Sequence, residues 1–474
     1  MPRLARIVLV LAAAAALAPA GAAAAPHMLI GFQDDPTFRW MPGAPDQLDL
    51  AQEANVSLIR ATADWRAIAA KKPVRATNPF DKNYNLNDLD ALVRNAQMRG
   101  IQVMITIWGT PKWANGGKGP NVPPRRLGDL TNFARAIADR YSGRHVGFPY
   151  VGRYSIWNEP NLEIFLTPQF DKKGRILSPR TYANLYKAGR KGIKAANRGA
   201  LMAIGETSNQ GRDVPAKGGA NESVAPGTFA RLLAQQKGLQ FDAYATHPYA
   251  TRPNLPPAQK VRWPNVTMSQ LDRFGTSLDS WFHRKTVPLW ITEYGYETKP
   301  GEPAGVTTSQ QAAYLKLAVR QLQANPRVQM LIWFIFRDSK LSLWQSGLLT
   351  QSGKKKPAYN TFASLARTVD GETLLIKPRV APTIRLAVPR FAAVNEIGSS
   401  IGLTYRVYQG SKFLAVGQSA GPLRADGTVA FAARFSPVAG TTYTIDMNAN
   451  DISGNSARHT FTLIAPGTTV KKKK

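Results

Sequence analysis

Eight short apolar runs recur along this chain, and stretches with helical rhythm fill the intervals between them. The runs are Met28 to Gln33, Val56 to Ala61, Ile101 to Trp108, Val151 to Trp157, Leu201 to Glu206, Phe241 to His247, Pro288 to Glu293 and Val328 to Phe336. Several are hydrophobic throughout, without alternation, as expected of parallel strands covered on both faces. Between them, Asn87 to Arg99 repeats Leu89, Leu92, Val93 and Ala96 at helical spacing and ends at Gly100. Leu130 to Tyr141 and Tyr182 to Ala196 read the same way, and Ser309 is placed to cap a helix that stops before Pro326. Eight strand–helix units predict an α/β fold, a (β/α)8 TIM barrel. The rival, an open doubly wound sheet, needs a nucleotide-binding fingerprint at a strand–helix turn, and the chain has none.

After about Asp370 the pattern changes to short runs with two-residue alternation: Thr383 to Leu386, Ile401 to Tyr408, Val429 to Phe435, Thr442 to Met447 and His459 to Leu463. These predict a small antiparallel β-sandwich. The end, YTIDMNANDISGNSARHTFTL, resembles the closing strands of bacterial immunoglobulin-like modules. No aromatic cluster marks it as a glycan binder, so a packing or spacer role is expected. The domain division is 1–25 signal segment, 26–370 barrel, 371–378 linker, 379–468 sandwich and 469–474 basic tail.

The first 25 residues carry Arg3 and Arg6, an apolar core from Ile7 to Ala18 and an alanine-rich stretch to Ala25. That is the build of a secretory signal, and the core is short for a membrane anchor. A secreted protein without a transmembrane segment, acting as a monomer, is expected. The absence of cysteine excludes disulfides and thiolate metal sites. The five histidines include no H-E-x-x-H, so neither metal nor cofactor is expected. The net charge of +31 suits nucleic acid, an anionic cell envelope or an acidic polysaccharide. No helix is a continuous basic stripe and no nucleic-acid-binding motif occurs, so nucleic acid is set aside.

Active sites of such barrels lie at the C-terminal ends of the strands. Those ends carry Arg60, Trp108, Asn158 with Glu159, Glu206, His247 with Tyr249, Glu293 with Tyr294, and Trp333 followed by Arg337 and Asp338. Strands four and seven oppose each other, so Glu159 and Glu293 can meet across the mouth. Cleavage of a glycosidic bond with retention needs such a pair, one protonated and one ionised, about 5–5.5 Å apart. An arginine beside Glu293 would keep it ionised, and that charge would hold Glu159 protonated. Trp108, Trp113, Trp333 and Trp344 are candidate platforms for sugar rings, whereas Trp157 and Trp290 are expected mainly in the core.

In order, the motifs Asn-Glu-Pro (158–160), His-x-Tyr (247–249), Thr-Glu-Tyr-Gly (292–295) and a strand-eight tryptophan resemble the large clan of retaining (β/α)8 glycoside hydrolases. The nearest likenesses are families 39 and 5, over Pro26 to about Asp370. The resemblance implies that Glu159 is the acid/base and Glu293 the nucleophile. It implies that Asn158 binds the sugar 2-hydroxyl, that Arg60 and Tyr249 orient Glu293, and that His247 and Trp333 line the sugar position nearest the cut.

Other acids have plainer expectations. Glu163 reads as a solvated loop residue, while Glu206, Asp338, Asp34 and Asp35 are placed to touch either structure or substrate hydroxyls. Loops 109–125, 208–228 and 251–267 are expected to shape the cleft. The bases Arg252, Lys260 and Arg262 point to an anionic or envelope-associated polysaccharide. Two other readings stand beside hydrolysis: a catalytically silent glycan-binding barrel, and a transglycosylase using the same covalent intermediate.

Overall fold

The computed structural model describes residues 28–217, 221–340, 342, 344–369, 383–385, 400–423, 428–430, 438, 440–451 and 456–464. The expected signal segment, linker and basic tail lie outside them. Eight parallel strands close into a barrel in sequence order: β1 (Leu29–Gln33), β2 (Leu58–Asp64), β3 (Gln102–Trp108), β4 (Arg153–Ile156), β5 (Leu201–Ser208), β6 (Ala243–His247), β7 (Leu289–Tyr294) and β8 (Val328–Phe334). β1 pairs with β8 to complete the ring.

Alternation along these strands divides the core in two. Leu29, Leu58, Met104, Ala203, Ala243, Trp290, Met330 and Ile332 fill the lumen. Ile30, Phe32, Ile59, Ile105, Ile156, Ile291 and Trp333 face the surrounding helices instead. Both faces are apolar, which is why the strand sequences show no alternation.

Helices form where the rhythm places them, at Asn87–Met98, Leu127–Arg140, Ser178–Ala196 and Thr308–Gln323. The last is capped differently from expectation. Thr307, not Ser309, caps it, in a reciprocal box with Gln310 that satisfies two backbone donors.

The C-terminal region holds β9 (Thr383–Arg385), β10 (Ser400–Gln409), β11 (Lys412–Pro422), β12 (Thr428–Ala430), β13 (Thr442–Asn450) and β14 (Ser456–Ile464). They form an antiparallel sheet β11-β10-β13-β14 and a two-stranded sheet β12-β9, a small β-sandwich architecture. β11 escaped the sequence reading because its run KFLAVGQSAGP has small residues where alternation would show. One face of β10 and β13 is apolar, with Leu403, Tyr405, Val407, Ile445 and Met447 buried.

The alternate residues of those strands meet the barrel. Gln97 Nε2 donates to Thr404 Oγ1 at 2.6 Å, Asn448 Nδ2 to the Gly143 carbonyl at 2.8 Å, and Arg406 to the Ser142 carbonyl at 2.9 Å. Gln97 and Gly143 sit in connections that lead into β3 and β4. The sheet therefore seats on the N-terminal end of the barrel, away from the cleft. Among the described residues no helix is long and apolar enough to cross a membrane.

Candidate active site

At the opposite end the strand mouths open into a cleft of about 1280 Å³, lined among others by Asn158, Glu159, Tyr249, Glu293, Trp108, Phe334 and Trp344. The two glutamates face each other there. Carboxylate oxygens of Glu159 and Glu293 and a ring nitrogen of His247 lie within 4.8 Å of one another.

Local backbone irregularities aim these side chains. Glu159 (φ 35°) and Trp157 (φ 73°) leave β4 through the left-handed region, where non-glycine residues carry strain. In β5 the pairing with β6 slips between Gly205 and Thr207, a bulge that turns Glu206 (φ 50°) into the lumen. Gly205 (φ 105°) makes the bulge possible, since a Cβ there would sit 2.6 Å from the Tyr244 ring and 2.7 Å from the Ala245 carbonyl oxygen. The β7–β8 register shifts likewise between Ile291 and Tyr294, beside Glu293.

Arg60 is the centre of the arrangement, only 1% exposed. It donates to Glu293 Oε1 at 2.7 Å, Glu206 Oε2 at 3.2 Å, Asn158 Oδ1 at 3.1 Å and Thr106 Oγ1 at 2.9 Å, and it also contacts Gln33. Strand β2 runs on past Arg60 to Asp64, so the guanidinium rises from within the barrel instead of standing at its rim. Tyr249 Oη donates to Glu293 Oε2 at 3.2 Å. Glu293 thus has a donor on each oxygen, which fixes the carboxylate in one orientation.

His247 lies beneath the pair, fully buried. Its Nδ1 is 2.9 Å from Glu159 Oε1 and 3.7 Å from Glu293 Oε2, and its Nε2 is 2.9 Å from Glu206 Oε2. Burial opposes the charge on the ring, but the Glu293 charge and the hydrogen bonds to Glu159 and Glu206 outweigh it and push its pKa up to about 10. Burial raises the pKa of Glu159 above the ordinary carboxyl value, with Glu293 adding to the rise and His247 opposing it. Burial also works against the Glu206 charge, yet Arg60 and His247 hold that carboxyl down at about 2. Glu159, His247 and Glu293 have the donor atoms of a metal site, but both His247 nitrogens are engaged by carboxylates. A doubly protonated ring has no lone pair to offer a cation.

Several expected roles are corrected. Arg60 holds Glu293 as expected, but it and His247 are buried and do not line the cleft. Trp333 does not line the cleft. It faces the helices, fully buried, and its indole donates to the Ser346 carbonyl at 2.9 Å. One residue along a strand changes face, so Phe334 takes that position, with Trp344 packed 6.3 Å from it. Trp113 is held off the cleft by the Ala69 carbonyl, while Trp157 is fully buried as expected, with its indole on the Phe165 carbonyl. Asn158 and Trp108 do line the cleft. The Asn158 carbonyl oxygen is taken by Arg60, which leaves its amide nitrogen to donate.

Glu206 is fully buried and meets no substrate. Asp34 accepts from the backbone of Thr37, Phe336 and Arg337, joining the ends of β1 and β8, and burial pushes its pKa up to about 6. Asp35 accepts from Arg39 at 2.7 Å, and Asp338 pairs with Lys356 at 2.6 Å. Glu163 is not merely solvated but accepts the Glu222 N–H at 2.7 Å.

The cleft walls also differ from expectation. Loop 109–125 contributes nothing to the lining, and of the three bases in loop 251–267 only Arg252 reaches it. The chain following β1 and the segment around Asn87 supply Arg39, Trp40, Asn85, Asn87 and Asp88 instead. Trp40 is 56% exposed, with its indole N–H fixed on Asp88 at 2.8 Å and Arg39 against its ring at 5.3 Å. Nothing in the sequence around Trp40 distinguishes it from other loop aromatics.

The family model for cellulase (glycosyl hydrolase family 5) matches residues 22–338 of the chain. The protein belongs to glycosyl hydrolase family 5. It is a glycosidase acting on O-glycosyl compounds, with the barrel common to the wider clan. Two solved glycoside hydrolases illustrate that fold. A family 39 enzyme from Bacteroides cellulosilyticus WH2 is 19% identical with a TM-score of 0.52, covering 86% of this chain and 79% of its own. A GH5 subfamily 18 enzyme from Streptomyces cattleya, in complex with GlcNAc, is 16% identical with a TM-score of 0.54, covering 75% and 83%. At such identities the likeness is one of fold. No curated relative matches this family 5 chain in sequence.

Proposed function

We propose that this glycosidase is an exported retaining enzyme that cuts β-linked glycans by double displacement, with Glu293 as nucleophile and Glu159 as acid/base. The observation that carries the reading is the close approach of the two carboxylates, with oxygens within 4.8 Å. That spacing favours direct attack, since an inverting pair stands roughly 6.5–9.5 Å apart to admit a water.

In the first step Glu293 attacks the anomeric carbon while Glu159 gives its proton to the departing oxygen. A covalent glycosyl–Glu293 ester and a free sugar alcohol result. In the second step Glu159, now a carboxylate, takes a proton from water, whose oxygen displaces Glu293 from the sugar. Arg60 and Tyr249 hold Glu293 in line for both displacements, and the Asn158 amide is placed to bond the 2-hydroxyl.

The cleft favours an uncharged glycan over the anionic polymer that the loop bases suggested. Its polar lining is amides and acids, including Asn85, Asn87, Asn209, Gln210, Asp64, Asp88 and Glu297. Of its two arginines, Arg39 is already engaged by Asp35 and Asp88. The excess positive charge lies outside the cleft, where it suits association with an anionic envelope after export. Recognition of sugar and attraction to a surface would then be separate properties.

The test is mass spectrometry of the protein after incubation with activated 2-deoxy-2-fluoro glycosides. Fluorine slows both steps, and the good leaving group keeps ester formation faster than its breakdown. One added sugar on the peptide carrying Glu293 is expected. An adduct on any other carboxylate would overturn the assignment. Trp40 tests the extent of the cleft. Trp40→Ala should lower kcat/KM on oligosaccharides by about tenfold, the worth of one lost aromatic stacking contact, and leave aryl monosaccharides unchanged. An equal loss on both would remove Trp40 from the sugar path.

A further inference from the structure

Glu206 is a buried carboxylate with no place in the two-step mechanism, yet three donors converge on its Oε2. These are Thr292 Oγ1 at 2.6 Å, His247 Nε2 at 2.9 Å and Arg60 at 3.2 Å. It shares His247 with Glu159, so one imidazole ring bridges the two acids. We propose that Glu206 is a positioning residue for the acid: by keeping both nitrogens of His247 protonated, it fixes the proton of Glu159 on Oε2, away from the ring.

The geometry admits two arrangements of protons. With one proton on the ring, Nε2–H would donate to Glu206 and Nδ1 would keep a lone pair. Glu159 would then turn its own proton onto Oε1 to bond that lone pair, hiding the proton from substrate. With two protons on the ring, Nδ1–H donates to Oε1, and the acid proton is left on Oε2. Among the described residues no hydrogen bond engages Oε2, and Glu159 lines the cleft.

Charge decides between them. Arg60 and a doubly protonated His247 oppose ionised Glu206 and Glu293, so the buried cluster is neutral when Glu159 carries its proton. The remaining titratable groups that face it are Asp35, whose charge Arg39 balances at 2.7 Å, and uncharged phenols. Tyr249 bonds Glu293, and Tyr182 accepts the Gly205 N–H at 2.8 Å next to Glu206. The upward shift of His247 to about 10 agrees with the two-proton ring. Removing the Glu206 charge takes away the partner of Nε2 and favours the one-proton form.

The role assigned to Glu206 rests on Glu159 being the acid, but its test does not need turnover. Nitrogen-15 NMR of the five histidines reads ring protonation directly in the intact protein. His247 should carry two protons from pH 5 to about 9 in the wild type. In Glu206→Gln its midpoint should fall by about two pH units, the usual effect of losing an adjacent opposite charge. Glu206→Asp keeps the charge and should keep the two-proton ring, which covers the case where the glutamine variant does not fold. A single ring proton at pH 7 in the wild type, an unmoved midpoint in Glu206→Gln, or loss of the second proton in Glu206→Asp would each overturn the proposal.

Kinetics supply a second readout, on aryl β-glycosides of the sugar that traps the enzyme. Glu206→Gln should slow phenyl glycosides about 100-fold and spare dinitrophenyl glycosides, whose departure needs no proton. Equal losses on both would mark a general structural defect and overturn the positioning role. If the wild type turns over no glycoside, the acid/base reading fails, while the NMR result still decides what Glu206 does to His247.

Discussion

Glu293→Ala should lower kcat by about 100,000-fold on any substrate the enzyme accepts, as removal of a covalent nucleophile does when the rest of the site acts as a unit with it. The alanine leaves a void beside the anomeric carbon, still flanked by Arg60 and Tyr249. A small anion can enter that space. Azide should therefore restore turnover of activated aryl β-glycosides and leave an α-glycosyl azide, the product of one displacement instead of two. Retention of more than about a hundredth of wild-type activity would remove Glu293 from the chemistry. A β-glycosyl azide would instead make Glu293 the acid/base and reverse the two roles.

The second large effect is on stability. Arg60→Met replaces the guanidinium with an apolar side chain of similar reach, strands Glu206 below the cleft and leaves Glu293 at the cleft floor without its arginine. Breaking a buried ion pair from one side costs about 3–5 kcal/mol, because the surviving charge has no solvent. Urea unfolding monitored by tryptophan fluorescence would show it. Adding Glu206→Gln to Arg60→Met should recover part of the loss, since one orphaned charge is gone. A loss below about 1 kcal/mol in the single variant would mean that water reaches the cluster and that Arg60 holds Glu293 only loosely.

The order of strands and the two glutamates were legible because both depend on local signals. Apolar runs of strand length stand out from helical rhythm, and Asn158-Glu159-Pro160 interrupts a run at a place where a barrel has its mouth. The direction of each side chain was not legible. Buried parallel strands are apolar on both faces, so the sequence IWF at 332–334 does not say whether Trp333 or Phe334 looks inward. In the structure it is Phe334, and Trp333 packs among helices. Glu206 posed the same difficulty, because a bulge at Gly205 changes its face after a regular run. Trp40 and Asp88 were hidden for another reason: they come together from segments whose sequences carry no mark of their meeting.

The seating of the C-terminal sheet has a consequence for how the molecule presents itself. Thr404, Arg406 and Asn448 grip the end of the barrel opposite the two glutamates. Cutting edge and handle therefore stand at opposite poles. Were the sheet to rest against a solid support, the cutting edge would point outward, free to meet polymers arriving from solution. Exchange of the sheet for another module could then redirect where the blade is mounted without reshaping the blade.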